Sequence, residues 1–228
     1  MMIHDFFDVH THCVGGEKGG ILIGLEGEPR YDNVLNNSSL QKLIESRTNY
    51  YPAYYVTRAF DEVPDETILK YHPRREKYTS SEVITDLQKR TCKLCIIDTL
   101  YSPIWQPIDY YQVVTTFPNI FFILAHMGGY DICDFVKILE FNKNVYADFS
   151  LTQEYFGWCG NNLPLNLVVD MINYCLNNDK LCKRVLFGSD SPFYSQELAI
   201  NKYFTYRNFA AVMQLNYIEL MNKIGIKI

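Results

Sequence analysis

Eight short apolar runs, separated for the most part by longer amphipathic stretches, restrict this chain to a small set of architectures. The runs cover Phe6 to Val9, Gly20 to Leu25, Ala53 to Arg58, Ile68 to His72, Leu94 to Asp98, Ile120 to Ala125, Val145 to Asp148 and Arg184 to Gly188. Several are continuous rather than alternating, as in Ile120-Phe121-Phe122-Ile123-Leu124. Strands covered on both faces read that way, and parallel sheets are covered on both faces. Helices are expected over Ser38 to Arg47, Ser80 to Arg90, Ile108 to Thr116, Ile132 to Phe141 and Leu165 to Asn177. Ser80-Ser81-Glu82 and Asp131 to Asp134 offer cap oxygens and early carboxylates, as helix starts prefer. Strands alternating with helices predict an α/β fold, a (β/α)8 TIM-type barrel, distorted and somewhat shortened. No clear helix follows the first strand between Cys13 and Asn37, so one barrel helix is expected to be missing there. A doubly wound open sheet fits the same alternation, because periodicity does not show closure.

With 228 residues and neither an internal repeat nor a long linker, the chain reads as a single domain, 1–228. Its 48% hydrophobic content supports a core without disulfides. The formal net charge of -5 and the lack of a Lys/Arg cluster argue against nucleic acid as a partner. No basic segment precedes an apolar one at Met1 to Asp8, and no apolar run approaches the ~20 residues that span a bilayer. A cytoplasmic protein without a membrane partner is expected. The seven cysteines are scattered, and Cys92-Lys93-Leu94-Cys95 lacks a second pair to complete a zinc site. They read as buried, inert thiols. The eighteen tyrosines suit either helix–barrel packing or the interface of a homo-oligomer, which leaves the oligomeric state open.

Chemistry concentrates at strand ends. In Phe7-Asp8-Val9-His10-Thr11-His12 the two histidines share one side of a strand end and can bind one divalent ion, with Asp8 behind them as support. In Leu186-Phe187-Gly188-Ser189-Asp190-Ser191-Pro192 an apolar strand runs into an acid, which on a barrel's active face can complete a metal site and accept a proton; a helix N-cap is the structural alternative. Leu124-Ala125-His126-Met127-Gly128-Gly129 places another imidazole at the same rim. In Ile68-Leu69-Lys70-Tyr71-His72-Pro73-Arg74, Lys70, His72 and Arg74 share a face if the strand continues that far. A lysine inside a barrel is costly unless paired or functional, and Arg74 can grip a substrate carboxylate by a forked contact.

Taken in series, these segments resemble the amidohydrolase superfamily, in particular the branch with aminocarboxymuconate semialdehyde decarboxylase and related lactone hydrolases. The resemblance runs from Phe6 to Pro192. It includes Lys70-Tyr71-His72-Pro73, Leu124 to Gly129, Val145-Tyr146-Ala147-Asp148 and Leu186 to Pro192 in the family's order. It implies a distorted (β/α)8 barrel with a catalytic divalent metal, zinc or manganese. His10, His12 and Asp190 would be ligands, and His126 would contact the metal, its water or the substrate. Where the family carries a ligand histidine at the end of strand five, this chain has Asp98. A carboxylate still ligates zinc and favours harder ions such as manganese.

The expected activity is a metal-dependent hydrolase that cleaves a C–O or C–N bond of a small acidic molecule. Asp190 and His126 are the catalytic candidates; His10, His12, Asp98 and Asp190 are the metal candidates. Lys70, His72 and Arg74 are the substrate-binding candidates. Non-oxidative decarboxylation on the same site, or a degenerate binding protein, are the alternatives.

Overall fold

The computed structural model describes residues 6–28, 30–152, 165–206 and 208–228. The first five residues, read above for a leader, and Cys159 therefore lie outside the described residues. The eight expected strands all form: β1 Phe7–Thr11, β2 Gly19–Ile23, β3 Tyr50–Tyr55, β4 Ile68–Tyr71, β5 Leu94–Asp98, β6 Phe121–Ala125, β7 Val145–Asp148 and β8 Val185–Leu186. They form one parallel sheet in sequence order. The open-sheet alternative ends at the seam between β8 and β1. There Val9 N donates to Phe187 O (2.9 Å), Asp190 N to His10 O (2.6 Å) and His12 N to Ser191 O (2.7 Å). The sheet thus closes into a (β/α)8 barrel.

Alternate strand residues sort into two layers, as the period of two demands. Val9, Ile21, Ile23, Ala53, Ile68 and Ile96 fill the barrel interior with their equivalents on β6 to β8. Leu22, Leu69, Tyr71, Ile97, Phe122 and Val185 face outward and pack under the helices. These are α1 Asn37–Ile44, α2 Pro73–Glu76, α3 Ser80–Leu87, α4 Pro107–Thr116, α5 Ile132–Phe141, α6 Leu165–Asn177, α7 Gln196–Tyr203 and α8 Asn216–Lys223. Between β1 and β2 the described chain has no helix, as expected.

Three details differ from the sequence reading. The cap of α3 is Thr79, one residue early; its side chain accepts from Glu82 N while the Glu82 carboxylate accepts from Thr79 N. Asp131 precedes α5 without a side-chain cap bond. The third is α8, whose Tyr217, Leu220 and Met221, with Ile224 just after it, join the interior cluster. Tyr217 stacks on Phe7, the first residue of β1, with ring centroids 4.6 Å apart, so α8 covers the N-terminal end of the barrel. The opposite, C-terminal end is left for the site. Cys13, Cys92, Cys95 and Cys175 are buried, and burial pushes the Cys92 thiol up to about 12, whereas Cys133 is exposed and Cys182 half-buried, so the expectation of buried thiols fails for those two. Among the described residues no helix is long and apolar enough to cross a membrane.

Candidate metal centre and its pocket

Four strand ends converge on one point. His10 lies on β1 and His12 directly after it, Asp190 follows β8, His126 follows β6 and Asp148 closes β7. All five are buried, at 6% exposure or less. Three residues here hold left-handed backbone without being glycine: His126 (φ 68°), Leu151 (φ 55°) and Asp190 (φ 60°). Each such residue costs of order 1–3 kcal/mol, and strain of this kind gathers at functional sites. Asp190 caps no helix; Ser195 does that for α7.

The ring orientations follow from the hydrogen bonds at Nδ1. His12 Nδ1 lies 3.0 Å from Ile23 O, a carbonyl that only accepts, so the proton sits on Nδ1 and the Nε2 lone pair is free. His10 Nδ1 is held by Asp148 Oδ2 (3.2 Å) and Ser150 Oγ (3.1 Å). Both Nε2 atoms face Asp190 Oδ1, at 3.3 Å from His10 and 3.4 Å from His12. Burial lowers the His10 imidazole to about 4, so it is neutral near pH 7. Asp190 is held below the usual carboxylate range: burial opposes this, and the surrounding histidines outweigh it.

These three residues fit a divalent ion. Their donor atoms lie within 4.8 Å of one another. A tetrahedral ion with bonds of ~2.0–2.1 Å keeps its ligands about 3.3 Å apart, which matches the two spacings to Asp190. A second grouping, His10, His126 and Asp148, shares His10. There His10 Nδ1 is already engaged by Asp148 and Ser150, so the first grouping is the one with free lone pairs. Sequence reasoning passed over Asp148 as a functional residue, although it is an acid closing an apolar strand, the same signal that singled out Asp190. An acid behind a ligating imidazole fixes its tautomer and raises its basicity.

Asp98 is in neither grouping. A carboxylate is shorter than an imidazole, and here its Oδ2 rests against His126 Nε2 (3.3 Å), His72 Nε2 (3.4 Å) and Arg74 (3.8 Å). His126 is pinned between that carboxylate and Ser150 O, which lies 2.8 Å from its Nδ1. Burial works against a charged His126, yet Asp98 and the other nearby acids carry it above its ordinary value. Asp8 also departs from expectation. It reaches neither imidazole, accepting instead from His10 N (3.0 Å), Ser189 N (3.1 Å) and Ser189 Oγ (2.5 Å), so it ties β1 to the turn after β8. Burial and the nearby Glu17 push Asp8 up to about 7.

Above these residues lies a cavity of about 530 Å3, within the usual range for a small-molecule site. Lys70, His72 and Arg74 all line it, although β4 stops at Tyr71 and Pro73 starts α2. Arg30 and Arg75 share the Glu28 carboxylate in the same wall. Sequence reasoning missed these three, because Glu28 and Arg30 lie in the loop after β2 and Arg75 in the single turn of α2, segments too irregular or too short to carry a periodic signal.

Comparison with known proteins agrees with the barrel fold. The amidohydrolase family model, Amidohydro_2, matches residues 95–210, half of the chain. The chain belongs to the amidohydrolase family. It is accordingly an enzyme of the amidohydrolase type, and a hydrolase or a related metal-site enzyme. Three solved structures share the amidohydrolase's fold at low identity. An uncharacterised TIM-barrel protein from Bordetella bronchiseptica has a TM-score of 0.67 at 16% identity, over 92% of this chain and 79% of that one. Amidohydrolase 2 from Bifidobacterium longum subsp. infantis has 0.61 at 12%, over 96% and 99%. A probable 2-pyrone-4,6-dicarboxylic acid hydrolase from Acinetobacter baumannii, with citric acid bound, has 0.56 at 12%, over 95% and 99%. No curated protein matches the sequence. The family match begins within β5, so in this amidohydrolase His10 and His12 stand on geometry alone.

Proposed function

We propose that this amidohydrolase cleaves a C–O or C–N bond, in an ester, lactone or amide, of a small acidic molecule. The observation that carries the reading is the convergence of His10 Nε2 and His12 Nε2 on Asp190 Oδ1 beneath a cavity walled by cationic side chains. His10, His12 and Asp190 are the residues to hold the ion, and two imidazoles with one carboxylate suit zinc, with manganese the alternative. A divalent ion in that donor set supplies Lewis acidity, which acidifies water and polarises a carbonyl.

The remaining steps belong to the chain. Asp190 accepts the proton of the attacking water, its carboxylate standing at the cavity floor. His126, held between Asp98 Oδ2 and Ser150 O and favoured in its charged form by the nearby acids, acts through its charge on the negative charge that develops at the carbonyl oxygen, an effect worth most where water is excluded. Arg74 orients the substrate through its carboxylate, with Lys70 and His72 beside it in the cavity wall. The polycarboxylate chemistry named for the Acinetobacter neighbour supports an acidic substrate.

The test begins with metal content by mass spectrometry, for the wild type and for His10→Ala/His12→Ala. About one transition metal per chain, lost in the double variant, is expected, followed by turnover of an ester, lactone or amide. A protein that takes up neither zinc nor manganese would sink the reading. Release of carbon dioxide without consumption of water would replace it by decarboxylation.

A further inference from the structure

Three buried polar atoms in the cavity wall have no hydrogen-bond partner: Lys70 Nζ, His72 Nδ1 and Asp98 Oδ1. Lys70 is 1% exposed and Asp98 3%. They stand on neighbouring strands. Lys70 pairs in register with Ile96, and Asp98 follows two residues on, in the same inward phase. An unpaired lysine amine and an unpaired carboxylate oxygen are each expensive in an interior, and a buried group left so calls for an explanation.

The two halves of the Asp98 carboxylate explain the pattern. Oδ2 is the oxygen that meets His126 Nε2 (3.3 Å), His72 Nε2 (3.4 Å) and Arg74 (3.8 Å), which anchors the group, while Oδ1 has no partner. The site therefore asks for one group that accepts from the Lys70 amine and donates to a carboxylate oxygen. A substrate carboxylate accepts but does not donate, and a methylene does neither. A hydroxyl does both through a single atom. Arg74, on the same wall and 38% exposed, remains available for a carboxylate beside it.

We propose that the substrate carries a free hydroxyl bridging Lys70 Nζ and Asp98 Oδ1, next to a carboxylate held by Arg74: a hydroxylated carboxylic acid derivative. This rests on the cavity being the substrate site, as in the reading above, but not on the bond cleaved there.

Malate and succinate have the same charge and chain length and differ by one hydroxyl. Isothermal titration calorimetry of the zinc-loaded protein with each, for wild type, Lys70→Met and Asp98→Ala, tests the inference, with thermal melts confirming that both variants fold. The wild type is expected to bind malate at least ~10-fold more tightly than succinate, the penalty of leaving buried groups unpaired. Either variant is expected to bring the two within about 2-fold. Equal binding by the wild type overturns the inference, since water then satisfies the three atoms. A malate preference that survives both variants also overturns it, because chelation by the ion then accounts for the hydroxyl. Failure to bind either acid overturns it as well, and with it the acidic substrate. A protein that selects malate but hydrolyses no ester, lactone or amide keeps the inference and loses the hydrolase.

Discussion

Replacing Gly188 with alanine adds one methyl group at the tightest point of the site. Gly188 is not among the residues with left-handed backbone, so its glycine answers a need for space rather than for an unusual φ. A Cβ built there stands 2.8 Å from His10 Cβ, 3.0 Å from Asp148 Cγ and 3.1 Å from Asp148 Oδ1. Carbon atoms prefer about 3.5–4.0 Å, so His10, Asp148 or the strand must retreat by roughly 0.5–1 Å. Neither residue has a flexible stem to swing aside, and both are buried on closed strands. Overpacking of this kind costs about 1–3 kcal/mol. For a chain of this size that lowers Tm by roughly 2–12 °C. The movement exceeds the ~0.5 Å that a preorganised site tolerates, and zinc affinity is expected to fall about 10–100-fold. Thermal melts and competition for zinc with a chromogenic chelator read the two effects separately. A variant with the wild-type Tm would refute the packing argument. A lowered Tm with unchanged zinc affinity would remove His10 from the donor set.

His12→Ala is expected to abolish tight zinc binding while Asp98→Ala alters it by less than about 5-fold, since Asp98 belongs to neither donor grouping; equal losses in the same chelator competition would return Asp98 to the ligands. Thr79→Ala removes the cap of α3 and should cost about 1 kcal/mol, roughly 2–4 °C in Tm, without touching zinc affinity; a change in affinity would tie α3 to the site. The hydrogen bond from Arg30 holds the Glu28 carboxyl down to about 2, against an ordinary 4.5. Its folded-state value is depressed, so its contribution is complete above about 4.5 and is lost as pH falls toward 2. Because Arg30 is 70% exposed, the stability gap between wild type and Glu28→Gln should be only about 0.5 kcal/mol at pH 6 and should close in that acid window. A gap that does not change with pH in chemical unfolding would exclude the ion pair as its source.

The strands were legible because both faces of a closed parallel sheet are apolar, and runs such as Phe121 to Leu124 announce this without context. Closure was not legible, because it rests on three backbone bonds between β8 and β1 that carry no side-chain signature. The helix α8 had a signal that went unread: Tyr217, Leu220, Met221 and Ile224 repeat at helical spacing. The strand-end residues His10, His12, His126 and Asp190 could be named from the sequence, because a barrel turns the carboxyl ends of distant strands toward one point. Their partners could not. Asp8 and Asp148 look alike on paper, each an acid near a strand end, yet only the folded register decides that Asp148 meets the imidazole of His10 and Asp8 its backbone.

The seam that closes the barrel also sets when the site comes into being. Asp8 and Ser189, which clasp each other across it, are 181 residues apart in the chain. Contacts of such long range form late, after local pairs have condensed. Until that ring is shut, His10 and His12 wait on one margin and Asp190 on the other. With the proposed donor set, capture of an ion would mark the end of folding rather than its beginning. An ion held by both margins acts as a clasp: by mass action it favours the shut ring over every partly opened form, in proportion to how far its concentration exceeds its dissociation constant. In a refolding chain, zinc uptake should lag the return of helical signal, and the lag measures the time taken for first and last strands to meet.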